Sequence, residues 1–407
     1  MTDTIVIGSG LAGLCATIRL AEAGQKVTLL SFGAGGIHLG QGSIDILGYV
    51  GPDQVERPFE ALASCAATHP YSRLGAEALR GGIDWLEGVL GDLVLASDER
   101  NHLVPTAVGA MRPTYLIQPS QSWPNPDTVA VVGVRQLKDF YPSLVAANLE
   151  RTASVTATSY RIDLPAREGE IESSPVLFAT ALDRGDFLDL FIAKITERIK
   201  DEQAICLAGV LGLRNPEVHR RIVEALDRPV VEAMMAPPSI PGMRINEALL
   251  ARVKNVGARI IIGSKVVDFT AEGRCLTSVT LAQAGRLQAY AAKDFVYCPG
   301  GFESGALAMD SYGKVTETLF GLPLSGLDHT ELITGDYWAD QQLFLVGVDV
   351  DSDSRPIGGG DVVFENLYAA GGLLGGALRT REKSGDGIAV ASAIRAAEAI
   401  LRVRGAH

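Results

Sequence analysis

The sequence predicts an α/β fold with a second α/β domain inserted into the first. Three observations support this prediction: a short apolar run leads into a glycine-rich turn near the start, strand-like and helix-like segments then alternate, and two proline-rich breaks interrupt them. With 407 residues, the chain suits two or three domains of about 100–200 residues each. Its composition, 47% hydrophobic and 21% charged, predicts well-buried cores and excludes a disordered chain.

The first three elements form a β-α-β unit. Residues 4–7 are a β-branched apolar run, residues 11–23 are an Ala- and Leu-rich stretch that Gly24 ends, and residues 27–30 are a second apolar run. The short apolar runs predict buried strands, and the longer stretch predicts the helix between them. This order is typical of a parallel sheet.

Two proline-rich breaks set the predicted domain boundaries. Residues 123–127 and 237–242 contain successive prolines, which remove backbone donors and end regular structure. We therefore expect residues 101–239 to form an inserted α/β domain that binds substrate or a partner, with 1–100 and 240–407 forming a discontinuous first domain. The pattern predicts strands at 128–134, 154–163, 204–208, 229–234, 259–263, 275–281 and 287–291, and helices near 140–149, 187–199, 216–226 and 243–257.

Charge and cysteine content exclude several classes of function. The 36 Lys and Arg against 48 Asp and Glu give a net charge of −12, and no dense basic run offers a nucleic-acid surface. The sequence contains no stretch of about 20 uncharged apolar residues, so it predicts no membrane span. Five dispersed cysteines lack metal-ligand spacing, so we expect reduced thiols in a cytosol and no zinc or iron–sulfur site.

The first glycine turn has the spacing of a dinucleotide-binding fingerprint, between a predicted strand and a predicted helix. In this pattern the first glycine allows a tight turn, the second lets the backbone approach a pyrophosphate, and the third lets helix and strand pack closely. The free N–H groups at the helix start then face the phosphate. We expect nucleotide binding by Gly8, Ser9, Gly10, Leu11, Ala12 and Gly13.

The second strand lacks one part of the fingerprint. An acidic residue is expected about 20 residues after the glycine turn, where it would bond a ribose hydroxyl. Ser31 stands at the end of this strand and offers one hydroxyl in its place. A ribose contact by an acidic residue is therefore not predicted, and the loop chemistry permits either FMN or FAD.

Two further glycine turns near the end of the chain extend the pattern. An apolar run at 294–297 leads to Gly300 and Gly301, residues 365–370 lead to Gly371 and Gly372, and a helix is predicted at 388–401. At the start of that helix, Gly385, Asp386 and Gly387 would aim N–H groups at an anion or at the polar edge of a flavin ring. Together these turns predict a Rossmann-like FAD/NAD(P)-binding flavoprotein fold. The alternative is that the late glycines serve only close packing.

Segments along nearly the whole chain resemble the B-subunit family of anaerobic glycerol-3-phosphate dehydrogenase. The resemblance rests on residues 8–14, 37–47, 112–116, 131–134, 237–244 and 365–376. It implies an FMN-dependent flavoprotein that works with a larger FAD-containing catalytic chain, the A subunit, together with a membrane-associated iron–sulfur chain, the C subunit. The assembly would oxidise sn-glycerol 3-phosphate to dihydroxyacetone phosphate and pass electrons to quinone. It would be cytoplasmic, attached peripherally to the inner face of the cell membrane through the partners. Residues 378–383 depart from the family's glycine-dense segment.

Oxidising a secondary alcohol requires a base for the hydroxyl proton and a cation for the phosphate. His38 lies in the loop after the second strand and is the candidate base or ring contact. The alternative is that His38 only packs within the loop. Arg244 follows the second proline-rich break and is the candidate cation that binds the substrate phosphate. The alternative is that Arg244 is an ordinary arginine on a helix surface. We also expect Gly42 and Ser43 to line the flavin, although an ordinary turn explains them equally well.

Two other residues and two other functions stay open from the sequence. Arg379 and Arg381 would either reach a flavin phosphate or solvate a loop. The chain could also be a non-catalytic electron-transfer or assembly subunit of the same complex. A third interpretation, an FAD-dependent reductase with a second nucleotide domain, is disfavoured because the strand at 129–134 contains only Gly133 and lacks the required glycine spacing.

Overall fold

The computed structural model describes residues 2–283, 285–328 and 331–405, and it confirms the predicted α/β class. The chain forms two compact units. The first consists of Met1–Gly36, Asp45–Leu90 and Ala248–His407, and the second of Ile37–Ile44 and Gly91–Glu247. The second unit therefore contains the predicted inserted domain and also residues 37–44, 91–100 and 240–247. One reason is that Ile44 pairs with Leu116 and Gln118 donates to the Gly42 carbonyl, both within this unit.

A five-stranded parallel sheet forms the centre of the first unit. Its strands lie in the order Arg259–Ile262, Val27–Ser31, Thr4–Ile7, Asp294–Tyr297 and Leu367–Ala369. All residues of the last four strands are buried, as expected for parallel strands covered on both faces. Three long helices of this unit are Leu11–Glu22, Ala76–Leu90 and Gly385–Arg404.

The remaining elements of the first unit are shorter or more exposed. An antiparallel sheet consists of Lys265–Glu272, Cys275–Gln283 and Arg286–Ala291. Short strands pair as Tyr49–Val50 with Asp53–Gln54, Leu307–Met309 with Val315–Glu317, Leu324–Ser325 with Gly347–Val348, and Ile357–Gly358 with Asp361–Val362. Short helices are Pro58–Ala61, Pro70–Leu74 and Arg379–Glu382. The helix Ile240–Asn255 begins in the second unit and ends in the first.

The second unit has its own parallel sheet and its own core. The strand order is Val230–Ala233, Ala204–Ala208, Thr128–Val134 and Thr156–Ile162. Its helices are Pro142–Thr152, Pro175–Leu182, Gly185–Thr196 and Glu217–Leu226, and His102–Pro105 pairs with Met111–Thr114. Phe178 packs edge-to-face on Phe187 and Phe191, and all three rings are buried.

Among the described residues, no helix combines the length and the apolar composition that crossing a bilayer requires.

Candidate functional site

Three of the predicted glycine turns meet at one edge of the first unit's parallel sheet. Thr4–Ile7, Asp294–Tyr297 and Leu367–Ala369 are adjacent parallel strands, so the turns that follow them leave the same carboxyl edge. The Cys298 N–H donates to the Ile7 carbonyl at 2.8 Å, and the Ala370 N–H donates to the Tyr297 carbonyl at 3.0 Å. The carboxyl edge of such a sheet is where nucleotide ligands bind in this class of fold.

The first glycine turn combines two tightly packed glycines with one open glycine. A Cβ on Gly8, which has a φ of +107°, would lie 2.0 Å from the Cys298 carbonyl oxygen. A Cβ on Gly13 would lie 1.8 Å from the Gly8 oxygen, whereas a Cβ on Gly10 would meet no described atom within 4 Å. Helix Leu11–Glu22 begins directly after Gly10, so its first N–H groups have no partner within the helix. This arrangement fits a phosphate at the helix start.

Ser9 and Ser31 join the glycine turn to the end of the second strand. Their hydroxyl oxygens are 2.7 Å apart, and they lie 2.9 Å and 2.6 Å from the Gly33 carbonyl oxygen. Both side chains are buried. The Ser31 hydroxyl therefore already has partners within the chain, and its contact with a ribose stays a prediction.

The two later turns pack against each other and against the first helix. Gly300 and Gly371 have φ angles of +90° and +78°, which glycine adopts without strain. A Cβ on Gly301 would lie 2.9 Å from the Gly372 carbonyl oxygen, and a Cβ on Gly371 would lie 3.0 Å from the Ala12 Cβ. Close packing thus explains these glycines in part, and their contact with a flavin stays a prediction.

The start of helix Gly385–Arg404 is fixed by the segment that begins at Asp45. The Gly387 N–H donates to the Asp45 carbonyl at 2.8 Å, and the Asp45 N–H donates to the Asp386 carboxylate at 3.1 Å. A Cβ on Gly387 would lie 2.2 Å from the Tyr71 hydroxyl, which donates to the Ile46 carbonyl at 2.6 Å. Burial raises the pKa of Tyr71, which is therefore a neutral donor. These contacts hold Gly385, Asp386 and Gly387 at the helix start.

The sequence did not identify a hydrogen bond between His69 and Glu382 beside this helix start. Nε2 of His69 lies 3.1 Å from the Glu382 carboxylate, and Nδ1 of His69 accepts the Tyr71 N–H, so Nε2 carries the proton. Glu382 also accepts bonds from the Leu378 N–H and the Ser384 hydroxyl. Burial would raise the Glu382 pKa, but the bond from His69 and these donors hold it below its usual value. Since the partners are 313 residues apart, no local pattern signals the pair.

Arg379 is a second residue whose importance the sequence left open. Its side chain is 17% exposed and lies close to Gly301, where a Cβ would be 3.2 Å from Nη2. Nη1 donates to the Leu374 carbonyl at 3.2 Å, and Nη2 lies 4.0 Å from Glu303. Desolvation lowers the pKa of Arg379. The guanidinium therefore lies within the first unit, close to Gly301 and to the Leu374 carbonyl that follows the turn at 371–372.

Arg244 lies in the second unit, where it neutralises a buried carboxylate. Its Nη1 and Nη2 donate to the two Glu232 oxygens at 2.7 Å and 3.0 Å, and Nε donates to the Gly212 carbonyl at 2.8 Å. Nη1 also donates to Gln118 at 3.2 Å. Burial would raise the Glu232 pKa, but Arg244 lowers it. Arg244 is therefore not an exposed helix-surface residue, and its contacts favour a structural role. Its contact with the substrate phosphate stays a prediction.

The other predicted contacts, His38, Gly42 and Ser43, also lie in the second unit. The His38 carbonyl accepts the Ser239 N–H at 2.9 Å, and its partly exposed imidazole makes no hydrogen bond within the described ranges. Gly42 has a φ of +74°, and a Cβ there would lie 2.2 Å from the Pro241 Cβ, so packing explains this glycine. The buried Ser43 hydroxyl has no hydrogen-bond partner among the residues described. All three roles stay predictions.

Comparisons with known proteins indicate a flavoprotein. The model of the FAD binding domain family matches residues 3–388. The B subunit of anaerobic glycerol-3-phosphate dehydrogenase from Pectobacterium atrosepticum is 30% identical, and that from Yersinia pseudotuberculosis is 31% identical, each match covering 98% of both chains. A flavocytochrome c3 fumarate reductase in its open conformation is 10% identical, with a TM-score of 0.47 over 98% of this chain and 78% of that one. The expected flavin is supported; the family model favours FAD, and FMN as the main cofactor finds no support.

Proposed function

This chain belongs to the B-subunit family of anaerobic glycerol-3-phosphate dehydrogenase, and we propose that it is a flavin-dependent subunit that oxidises sn-glycerol 3-phosphate to dihydroxyacetone phosphate. The observation that carries the proposal is the convergence of the glycine turns at 8–13, 300–301 and 371–372 on one sheet edge. Their spacing and the open backbone at Gly10 suit a nucleotide-bound flavin.

We propose FAD as the flavin, because the family model that spans most of the chain is that of an FAD-binding domain. The N–H groups at the start of helix Leu11–Glu22 would bind its phosphates, and Gly10 would leave room for them. The start of helix Gly385–Arg404 would face the polar edge of the ring. When bound, the flavin supplies the hydride acceptor that the protein lacks.

The chain's own residues would orient the alcohol and take its proton. We retain His38 as the candidate base, since its imidazole has no hydrogen-bond partner within the described ranges and is partly exposed. From the sequence alone, we also propose that the Ser43 hydroxyl contacts the flavin. Arg244 is a weak candidate for the substrate phosphate, because its hydrogen bonds to Glu232, Gly212 and Gln118 use most of its donors.

Because most hydrogen-bond donors of Arg244 are already used within the chain, no strong phosphate-binding residue is identified. This favours a second candidate function, an electron-transfer or assembly subunit of the same complex. In this case a partner chain oxidises the substrate, and the flavin of this chain relays electrons. An anaerobic titration of the isolated, flavin-loaded chain with sn-glycerol 3-phosphate separates the two functions. Bleaching of the flavin absorbance by the substrate, with glycerol as the unphosphorylated control, supports catalysis in this chain. If dithionite bleaches the flavin and the substrate does not, the relay function is favoured.

The names of the relatives motivate a proposal about partners and location. We propose that this chain assembles with an FAD-containing catalytic chain, the A subunit, together with a membrane-associated iron–sulfur chain, the C subunit, and that the complex passes electrons to quinone. It would then lie in the cytoplasm, at the inner face of the cell membrane. Co-expression of the three chains should yield one complex in the membrane fraction; recovery of this chain apart from both others would contradict the assembly.

A further inference from the structure

Arg379 is a largely buried cation with few partners. In the described part of the chain, its guanidinium makes one hydrogen bond, to the Leu374 carbonyl at 3.2 Å. The nearest carboxylate, Glu303, is 4.0 Å away, beyond hydrogen-bond distance, and its side chain is 65% exposed. Buried guanidinium groups normally make several charge-assisted hydrogen bonds, because desolvating an unpaired charge is costly.

Arg244 shows what a fully paired arginine looks like in this protein. It makes four hydrogen bonds, two of them to the buried carboxylate of Glu232. Arg379 has a similarly low exposure but no such carboxylate. Glu382, on the same short helix, already accepts bonds from His69, Ser384 and the Leu378 N–H. The donors of Arg379 are therefore available to a ligand.

The surroundings of Arg379 indicate which part of a ligand it would meet. Nη2 of Arg379 lies beside Gly301. The Cβ atom of Arg379 lies close to Gly385, since a Cβ added to that glycine would be 3.7 Å from it, and Gly385 is the first residue of a 20-residue helix. The positive end of that helix dipole therefore lies next to the Cβ and Cδ atoms of the Arg379 side chain. The phosphate site at Gly10 belongs to a different helix, Leu11–Glu22. Arg379 and the start of helix Gly385–Arg404, two sources of positive charge, thus lie close together at the turns that we expect to face the flavin ring.

We propose that Arg379 binds the negative charge that develops on the flavin ring upon reduction. Two electrons and one proton convert the neutral oxidised ring to the anionic reduced form, and the extra charge resides on the pyrimidine edge. A fixed cation there stabilises the reduced form over the oxidised form. The proposal rests only on the flavin-binding part of the proposed function and is independent of the identity of the substrate.

Sulfite binding tests the proposal without any substrate. Sulfite donates a lone pair to the oxidised ring, the electron pair moves to the pyrimidine edge, and the visible absorbance is bleached. In Arg379→Gln we expect sulfite affinity to fall about tenfold, the value of a lost charge-assisted hydrogen bond. The flavin potential, measured by dithionite titration against a reference dye, should fall by about 30 mV for each tenfold loss.

Three further variants make this test specific. Arg381→Gln is the matched control, since Arg381 lies on the same short helix, is 60% exposed and pairs with Asp340. It should bind sulfite like the parent, and Arg379→Lys should retain most of the affinity. Glu303→Gln removes the nearest carboxylate and should tighten sulfite binding. This variant decides the question if Arg379→Gln loses its flavin.

Parental sulfite affinity and potential in a flavin-loaded Arg379→Gln protein would overturn the proposal. Unchanged or weaker sulfite binding in Glu303→Gln would overturn it as well. Failure of glycerol 3-phosphate to reduce the flavin, with these shifts present, would contradict catalysis by this chain and leave the role of Arg379 intact.

Discussion

At the scale of single residues, two arginines with similar burial have opposite pairing. Arg244 is matched by Glu232, whose side chain is 1% exposed and which also accepts bonds from Ser120 and the Leu211 N–H. Arg379 has no matching carboxylate within hydrogen-bond distance among the described residues. The first pattern stabilises the fold, because removing either partner leaves a buried charge unpaired. The second is suited to a ligand.

We predict that Arg244→Ala destabilises the protein by about 3–5 kcal/mol, because it leaves the Glu232 carboxylate buried and unpaired. Urea unfolding monitored by circular dichroism measures this change. Arg214→Ala is the control, since Arg214 is 75% exposed and lies 3.8 Å from Glu247; it should change stability by at most about 0.5 kcal/mol. Unchanged stability of Arg244→Ala with a raised substrate constant would restore the substrate role.

We predict that Gly10→Glu prevents flavin binding, since its carboxylate would occupy the open space at the helix start. Absorbance and protein concentration of the purified variant give its flavin content. Gly81→Glu is the control, because a Cβ on Gly81 also meets no described atom within 4 Å, but Gly81 lies on the exposed face of helix Ala76–Leu90. Full flavin occupancy in Gly10→Glu would rule out the phosphate site.

At the scale of elements, the segment 378–384 depends on the hydrogen-bonded pair of His69 and Glu382. Glu382 accepts hydrogen bonds from His69, from the Ser384 hydroxyl and from the Leu378 N–H, so its carboxylate joins both ends of the short helix Arg379–Glu382. The Gly48 N–H donates to the Glu382 carbonyl at 2.7 Å. This arrangement positions Arg379 beside the glycine turns. The pair is therefore expected to matter for flavin binding.

We predict that Glu382→Ala increases amide hydrogen exchange in segment 378–384 and weakens flavin binding, because three donors lose their acceptor. Mass spectrometry of exchanged peptides measures the first effect, and fluorescence titration the second. Glu398→Ala is the control, since Glu398 is half exposed and lies 3.9 Å from Arg19. Parental exchange in this segment of Glu382→Ala would contradict the positioning role.

The same pair has a defined pH dependence. Its partners hold the Glu382 pKa below the usual Glu value of about 4.3, so the carboxylate contributes stability above that pH. The contribution is lost as the pH falls through the lowered pKa. The stability difference between the parent and Glu382→Gln should therefore shrink on acidification from neutral pH. A difference that grows on acidification would contradict the assigned direction.

Elements with a strong local pattern were predictable, and elements stabilised from a distance were not. The strands Thr4–Ile7, Thr128–Val134 and Ala204–Ala208 have their predicted bounds, because their buried apolar runs are unambiguous. Helix Ala76–Leu90 was missed because it contains Gly81, Gly82 and Gly88, which lower helix propensity. A Cβ on Gly82 would lie 3.3 Å from Val390, so close packing with another helix explains this glycine.

At the scale of the whole molecule, one unit is assembled from three separate stretches of the chain. The glycine turns, the His69–Glu382 pair and Arg379 all belong to this first unit. The sequence predicted the turns, since each has a local glycine signature. It did not predict the His69–Glu382 hydrogen bond or the pairing of Arg244 with Glu232, because these partners are distant in sequence or lack any motif. His38, Gly42 and Ser43 belong to the second unit, and their roles stay predictions.

The identity of the bound flavin tests most directly whether the first unit is an FAD site. The chain is purified alone, its chromophore is released with acid, and the chromophore is identified by chromatography and mass spectrometry. We expect one FAD per chain, lost in Gly10→Glu and retained in Gly81→Glu. Recovery of FMN, or of no flavin from a folded chain supplied with FAD, would contradict it.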